Sequence, residues 1–236
     1  MLVIGLTGGI ASGKSTVSSI LKSNKIPIID LDLISRQVVE PGTKSLQQIQ
    51  SHFSHIPNII NSNGTLNREK LGSIIFANPT ERKWLDKTLH PKIRRLMLFQ
   101  ICKLWLMGSK VCVIDSPLLI ETGMWKFCGK VILVYCSEEI QLERLMSRNQ
   151  LDKPTAQQKI QSQLPLKSKL IYSDYILNND HDLIQLESKV KDLIQNLNQS
   201  HSKLLWILNW FCFPFTFLNG FLTLLFRYYS FKSKLS

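Results

Sequence analysis

Residues Gly8-Gly9-Ile10-Ala11-Ser12-Gly13-Lys14-Ser15 satisfy G-x-x-x-x-G-K-[ST] at every position. The chemistry of that spacing is phosphate binding. Glycines at 8 and 13 let the backbone wrap closely around an anion. Successive N–H groups and the N-terminus of the following helix then point inward, and Lys14 reaches the β and γ oxygens of a nucleotide. Ser15 is placed to hold Mg²⁺, and Thr16 carries the loop into the helix. The bare pattern arises by chance in roughly 1% of chains of this length, so an ordinary glycine turn is the weaker reading.

Acids stand where the other half of such a site would be. Ile29-Asp30-Leu31-Asp32 closes an apolar run, and ligands of open α/β sheets lie beyond the carboxyl ends of the strands. A carboxylate there takes the proton of an attacking hydroxyl, or holds metal or substrate; a helix N-cap and a salt-bridge partner are the plain alternatives. Val111-Cys112-Val113-Ile114-Asp115 has the form of a strand ending in an acid that supports magnesium. It is followed by Ser116-Pro117-Leu118-Leu119-Ile120-Glu121, a sharp exit from the sheet. Further along, Gln141, Arg144, Arg148 and Asn149 recur at one-turn spacing, with Arg144 and Arg148 at i and i+4. Two guanidinium groups on one face suit a phosphate clamp on a movable lid; a solvated helix face is the alternative.

These side chains need a scaffold to position them. Leu2–Leu6 is a continuous apolar run of strand length, Ser15–Lys22 continues as helix, and Ile26–Asp30 is a second apolar run. Val111–Asp115, Val131–Cys136 and Tyr175–Leu177 are further strands. Short, uniformly apolar strands alternating with helices predict an α/β fold, a P-loop NTPase-type parallel sheet with helices on both faces. About 80 residues of helical periodicity separate the second and third strands, far beyond an ordinary crossover, and predict an inserted helical lobe at about 55–108. Within it, Asn67 is expected to cap a helix to Phe76. A second helical segment, Pro79–Met107, is expected to break at His90-Pro91, because proline disfavours helix in its predecessor. The lid is expected at about 140–170.

A chain of 236 residues with a formal charge of +12 has room for one catalytic unit with an inserted lobe. The charge suits a polyphosphate, an anionic membrane or a nucleic acid; no nucleic-acid recognition module is visible. Five cysteines without a C-x-x-C pair read as reduced thiols. His52 and His55 read as a surface pair, since zinc wants three or four ligands. The first residues run straight into the glycine loop, so no cleaved leader is expected.

Taken together, the motifs resemble the dephospho-coenzyme A kinase family along nearly the whole chain to about Asn178. The resemblance is carried by Gly5-Leu6-Thr7-Gly8-Gly9-Ile10, Asp30-Leu31-Asp32 with Arg36, Val38-Val39-Glu40-Pro41-Gly42 and Gly64-Thr65-Leu66-Asn67-Arg68. It continues through His90-Pro91-Lys92-Ile93, Asp115 to Glu121, Gln141 to Asn149, Gln163-Leu164-Pro165-Leu166 with Lys169, and Asp174 to Asn178. It implies a kinase domain over 1–202 that uses ATP and Mg²⁺ to phosphorylate the ribose 3′-hydroxyl of dephospho-coenzyme A. On that pattern Asp32 is the base, and Lys14, Arg144 and Arg148 act on the phosphates. Asp30, Arg36, His90, Asp115 and Gln163 bind substrate, and Ser15 and Asp115 face the metal. A P-loop kinase for another small substrate, and a membrane-attached nucleotide-binding scaffold without catalysis, are the alternatives. Ser116 and Ile120 depart from the apolar and aromatic residues usual in the family's proline loop.

Leu204 to Phe226 is 23 residues without a charge, long enough to cross a bilayer. Asn209, Pro214, Asn219 and Gly220 would instead divide it into two short helices lying on a membrane or on the kinase. The reading is a membrane-anchoring segment at 203–227 with a short basic tail at 228–236. The kinase is then expected to face the cytosol, tail-anchored to the mitochondrial outer membrane or the endoplasmic reticulum. Ser233-Lys234-Leu235 resembles a peroxisomal address, but Ser236 follows it.

Overall fold

The computed structural model describes residues 1–199 and 220–226. Most of the candidate membrane segment therefore lies outside the described residues; 220–226 are helical. Among the described residues no helix is long and apolar enough to cross a membrane.

The chain divides into two compact units, Met1–Ile29 with Lys103 onward, and Asp30–Cys102. The first is built on strands β1 (Leu2–Gly8), β3 (Val111–Asp115), β4 (Lys130–Tyr135) and β5 (Tyr175–Asn178). With β2 (Ile28–Asp30) they form a five-stranded sheet in the order β2-β3-β1-β4-β5. The central pairings are parallel: Leu2 to Leu6 of β1 lie beside Val111 to Asp115, and Ile4 to Gly8 lie beside Lys130 to Val134. That register brings the start of the glycine loop and Asp115 to one edge of the sheet, where parallel strands gather their carboxyl ends.

Alternation decides what each face packs against. Ile4, Leu6, Val111, Val113, Ile132 and Val134 point one way, into a core completed by Val17 and Leu21 of α1 (Lys14–Ser23) and by Leu186, Val190, Leu193 and Leu197 of α9 (Leu183–Gln199). Leu133 points the other way with Cys136 and Leu166, packed by Ile140 and Leu170. Gly5 is required on that second face: a Cβ there would meet Leu119 Cδ2 at 2.4 Å. Its absence lets the proline turn after Asp115 lie directly on the sheet. Each fully buried Val, Leu or Ile in these layers stabilises the fold by about 1.5–3 kcal/mol.

After β4, Ser137 caps α6 (Glu138–Asn149), its hydroxyl accepting the Ile140 N–H. The chain continues through α7 (Lys153–Gln161) and the single turn α8 (Leu166–Lys169) before β5.

The second unit holds α2 (Leu31–Gln37), α3 (Lys44–His52), α4 (Arg68–Ala77) and most of α5 (Pro79–Leu106). It thus takes in α2 and α3, which lie ahead of the 55–108 range. Caps explain where its helices start. Thr43 Oγ1 accepts the Leu46 N–H, and Asn67 Oδ1 accepts the Lys70 N–H. The expected break at His90-Pro91 does not occur: α5 is one 28-residue helix with Pro91 inside it. Proline costs roughly 3 kcal/mol in a helix interior, and Leu85, Ile93 and Met97, buried on either side of it, offset that cost. His52 is also not a plain surface residue. Its ring stacks on Trp84 at 3.6 Å, and Nε2 lies 2.6 Å from Glu81 Oε2, while His55 is exposed.

Candidate active site

The glycine loop is a turn held open by glycine at each point of close approach. Gly13 sits at φ +94°, Ala11 also has positive φ, and a Cβ on Gly13 would come within 2.1 Å of Asn179 Nδ2. Gly8 has no room either, since its Cβ would meet Ser12 Oγ at 2.5 Å. The Ser12 N–H turns back to Gly9 O at 3.2 Å, and the Thr16 and Val17 N–H groups bond to Gly13 O. Helix α1 begins with no side-chain cap and no acid in its first turn, so its leading N–H groups and the positive end of its dipole are available to an anion. Ser12 Oγ is buried without a hydrogen-bond partner among the described residues, as expected of a loop whose missing partner is a ligand oxygen.

Lys14 folds over this loop and its Nζ lies 2.5 Å from Asp115 Oδ1. The side chains are 18% and 8% exposed, so the ammonium can turn to incoming phosphate while the carboxylate remains at the floor of the site.

Beside the loop lies a cleft of about 680 Å³, lined by Ala11, Gly13, Ser15 and Thr16 on one side and by Ile140, Glu143, Arg144, Ser147, Arg148 and Asp180 on the other. That volume is within the ordinary range for a small-molecule site. The i, i+4 spacing on α6 does bring Arg144 and Arg148 to the same cleft. Arg144 Nη1 donates to Asn179 O at 2.9 Å and Arg148 Nε to Asn149 Oδ1 at 2.9 Å. Below them the Cys136 thiol is pushed up to about 11 by burial, against the opposing charge of Arg144 and with the support of Asp180, so it stays protonated at neutral pH.

The other sequence candidates are placed as follows. Gln163 is turned to the loop itself, its Oε1 accepting the Ile10 N–H at 2.9 Å, while Gln141 Nε2 donates to Ile10 O at 2.8 Å. Asp30 caps α2: its Oδ1 accepts the N–H groups of Asp32 and Leu33 at 2.8 and 3.0 Å. Asp32 stands exposed in the first turn of that helix, and Arg36 is exposed at its last. His90 Nε2 lies 3.6 Å from Asp86 Oδ1, one turn away on α5. Asp30, Asp32, Arg36 and His90 belong to the second unit, and the cleft residues to the first.

Sequence reasoning missed Asn179 and Asp180. Asn179 Nδ2 donates to Ser12 O at 2.8 Å, its carbonyl holds Arg144, and Asp180 Oδ1 accepts the N–H of Ser137. The signal was present, since both follow the carboxyl end of β5 as Asp115 ends β3. Lys169 and Glu121, noted only as parts of longer motifs, form an ion pair against the glycine loop in which the lysine is fully buried and the glutamate partly exposed.

A phosphate loop between a parallel strand and a helix N-terminus, floored by a Lys–Asp pair and flanked by two arginines, defines a P-loop nucleotide-binding protein of the α/β class. The family model described as dephospho-CoA kinase matches residues 2–185. A dephospho-CoA kinase of Saccharomyces cerevisiae is 42% identical over 214 residues, covering 89% of this chain and 88% of the relative. The Halalkalibacterium halodurans dephospho-CoA kinase is also 42% identical, over 194 residues, covering 82% of this chain and 96% of that one. Among solved structures, the dephospho-CoA kinase from Campylobacter jejuni superposes with a TM-score of 0.67 at 30% identity, covering 84% of this chain and 98% of that one. The chain belongs to the dephospho-CoA kinase family.

Proposed function

We propose that this chain transfers the γ-phosphoryl group of ATP to the ribose 3′-hydroxyl of dephospho-coenzyme A, yielding coenzyme A and ADP, the last step of coenzyme A synthesis. The observation that carries the reading is the phosphate loop, with its orphaned Ser12 hydroxyl and glycine-lined walls, inside a chain that matches this family over residues 2–185. In the transfer, the bond between the γ-phosphorus and its bridging oxygen breaks and a bond to the 3′-oxygen forms. The β-phosphate leaves on ADP. Lys14, Arg144 and Arg148 neutralise charge on the transferred group, which is the main work of a phosphoryl-transfer site. Asp32 keeps the role of base that the family resemblance assigns to it, taking the hydroxyl proton.

Mg²⁺ supplies charge neutralisation on the phosphates when bound. The Ser15 hydroxyl and Asp115 carboxylate are oxygen donors that suit it. ADP release with ATP, Mg²⁺ and dephospho-coenzyme A, beside adenosine and shikimate as acceptors, tests the reading. Turnover with dephospho-coenzyme A alone is expected; turnover with another acceptor instead would overturn it.

We also propose that residues 204–226 attach the enzyme to a membrane with the kinase facing the cytosol. The uncharged 23-residue run between Lys203 and Arg227 supports it. Flotation of the full chain with phosphatidylcholine liposomes, but not of a chain ending at Ser202, is the expected result; equal behaviour of the two would refute it.

A further inference from the structure

The ammonium of Lys169 is fully buried, at 0% side-chain exposure, and plays no part in the transfer as described above. Its Nζ has three acceptors around it: Glu121 Oε1 at 2.8 Å, Pro117 O at 2.8 Å and Gly8 O at 3.5 Å. An ammonium has three N–H donors, so the site is saturated and the charge is matched by one carboxylate. Retaining a buried charge is expensive where a hydrocarbon would fill the space.

The acceptors tie together three stretches that are distant in sequence. Gly8 O opens the phosphate loop. Pro117 O belongs to the turn that follows Asp115, the partner of Lys14, and it also accepts the Thr7 hydroxyl at 3.2 Å. Glu121 Oε1 accepts the Leu164 N–H at 3.2 Å, which joins that turn to the segment returning from α7. One residue earlier, Gln163 holds the Ile10 N–H, and Gln141 holds Ile10 O from the other side. The segment that Lys169 anchors thus fixes the N–H of Ile10, while α6 fixes its carbonyl.

We propose that Lys169 and Glu121 form a latch, a pair of positioning residues that hold the phosphate loop and the Asp115 turn in register with the return segment 163–169. The inference rests on the kinase reading, because what the latch sets is where the γ-phosphate meets Lys14 and the arginines. A displacement of about 1 Å at such a site costs on the order of 100-fold in rate, whereas the loop N–H groups and Lys14 still bind ATP when the latch is lost.

The experiment compares the wild-type full chain with Lys169→Met, Glu121→Ala and Glu121→Gln. Each is measured for kcat and KM with MgATP and dephospho-coenzyme A, and for amide hydrogen exchange at Ile10 and Leu164. Lys169→Met should lower kcat by about 100-fold with KM for ATP within about threefold, and exchange at both amides should quicken at least tenfold. If Lys169→Met does not fold, the Glu121 pair decides. Glu121→Ala should be slow, and Glu121→Gln, which keeps an acceptor for Lys169 and Leu164, should recover at least tenfold over it. A kcat within twofold of wild type in Lys169→Met, or equal rates for the two Glu121 variants, would overturn the latch. So would unchanged exchange at Ile10 and Leu164. Absence of turnover in the wild type would instead overturn the kinase reading, and the exchange rates would then decide the latch by themselves.

Discussion

Replacing Gly13 by alanine puts a methyl group 2.1 Å from Asn179 Nδ2 on a backbone held at φ +94°. Two costs follow. An L-residue in the left-handed region is strained by about 1–2 kcal/mol. The methyl also displaces the Asn179 amide from Ser12 O, at present a 2.8 Å buried hydrogen bond, and an abandoned buried partner costs about 1–3 kcal/mol. The sum is about 2–5 kcal/mol, and at 2–4 °C per kcal/mol for a domain of this size Tm should drop by roughly 4–20 °C. The structure makes a sharper claim about the pair. Asn179→Ala alone loses the same hydrogen bond, so the double variant loses it only once and has no clash. Gly13→Ala with Asn179→Ala should be less destabilised than the sum of the singles by about 1–3 kcal/mol, a coupling ordinarily seen only between residues in contact. Urea unfolding of all four proteins, at constant m-value, measures it. Additive effects would show that Asn179 does not set the shape of the loop.

Other outcomes follow from the same geometry. Asp32→Asn should lower kcat by about 10²–10⁴-fold with ATP affinity retained; wild-type turnover would remove Asp32 from the role of base. Arg148→Ala, which among the described residues breaks no bond outside its own helix turn, should lower kcat without changing Tm by more than about 2 °C, whereas Arg144→Ala should lower both, since its guanidinium also holds Asn179 O. Burial pushes the Cys112 thiol up to about 12 and the Cys136 thiol to about 11. Raised pKa values mean that the stability these neutral thiols contribute is complete below about pH 8.5, where unfolded thiols titrate. It is lost as pH rises toward about 11 and 12, so the urea midpoint should fall between pH 8 and pH 10.5, and by less in Cys112→Ala. Of the described cysteines, exposed Cys102 should react with a thiol reagent in the native protein while Cys112, Cys128 and Cys136 do not.

Local chemistry made much of the scaffold legible. The apolar runs at Leu2, Val111, Val131 and Tyr175 become strands within a residue or two of their expected ends, because an uninterrupted apolar strand has no stable place except inside a two-faced sheet. Asn67 caps its helix because only residues close in sequence are involved. Pro91 misled for the complementary reason. Its helix-breaking tendency is local, while Leu85, Ile93 and Met97 are held by packing that the dipeptide does not encode. His52 misled in the same way, since Trp84 and Glu81 reach it from another helix.

The sequence by itself determined the phosphate loop, since glycine spacing, Lys14 and the following helix act over a few residues. It also determined the pairing of Arg144 with Arg148, which helical periodicity sets. Only the tertiary structure decided that Gln163 grips Ile10 rather than open space, and that Asn179 and Lys169 close on the loop from 167 and 161 residues away. A carboxylate, amide or ammonium has several possible partners of similar strength. Which one it takes depends on what the folded chain brings within about 3 Å, and no spacing in the sequence carries that distance.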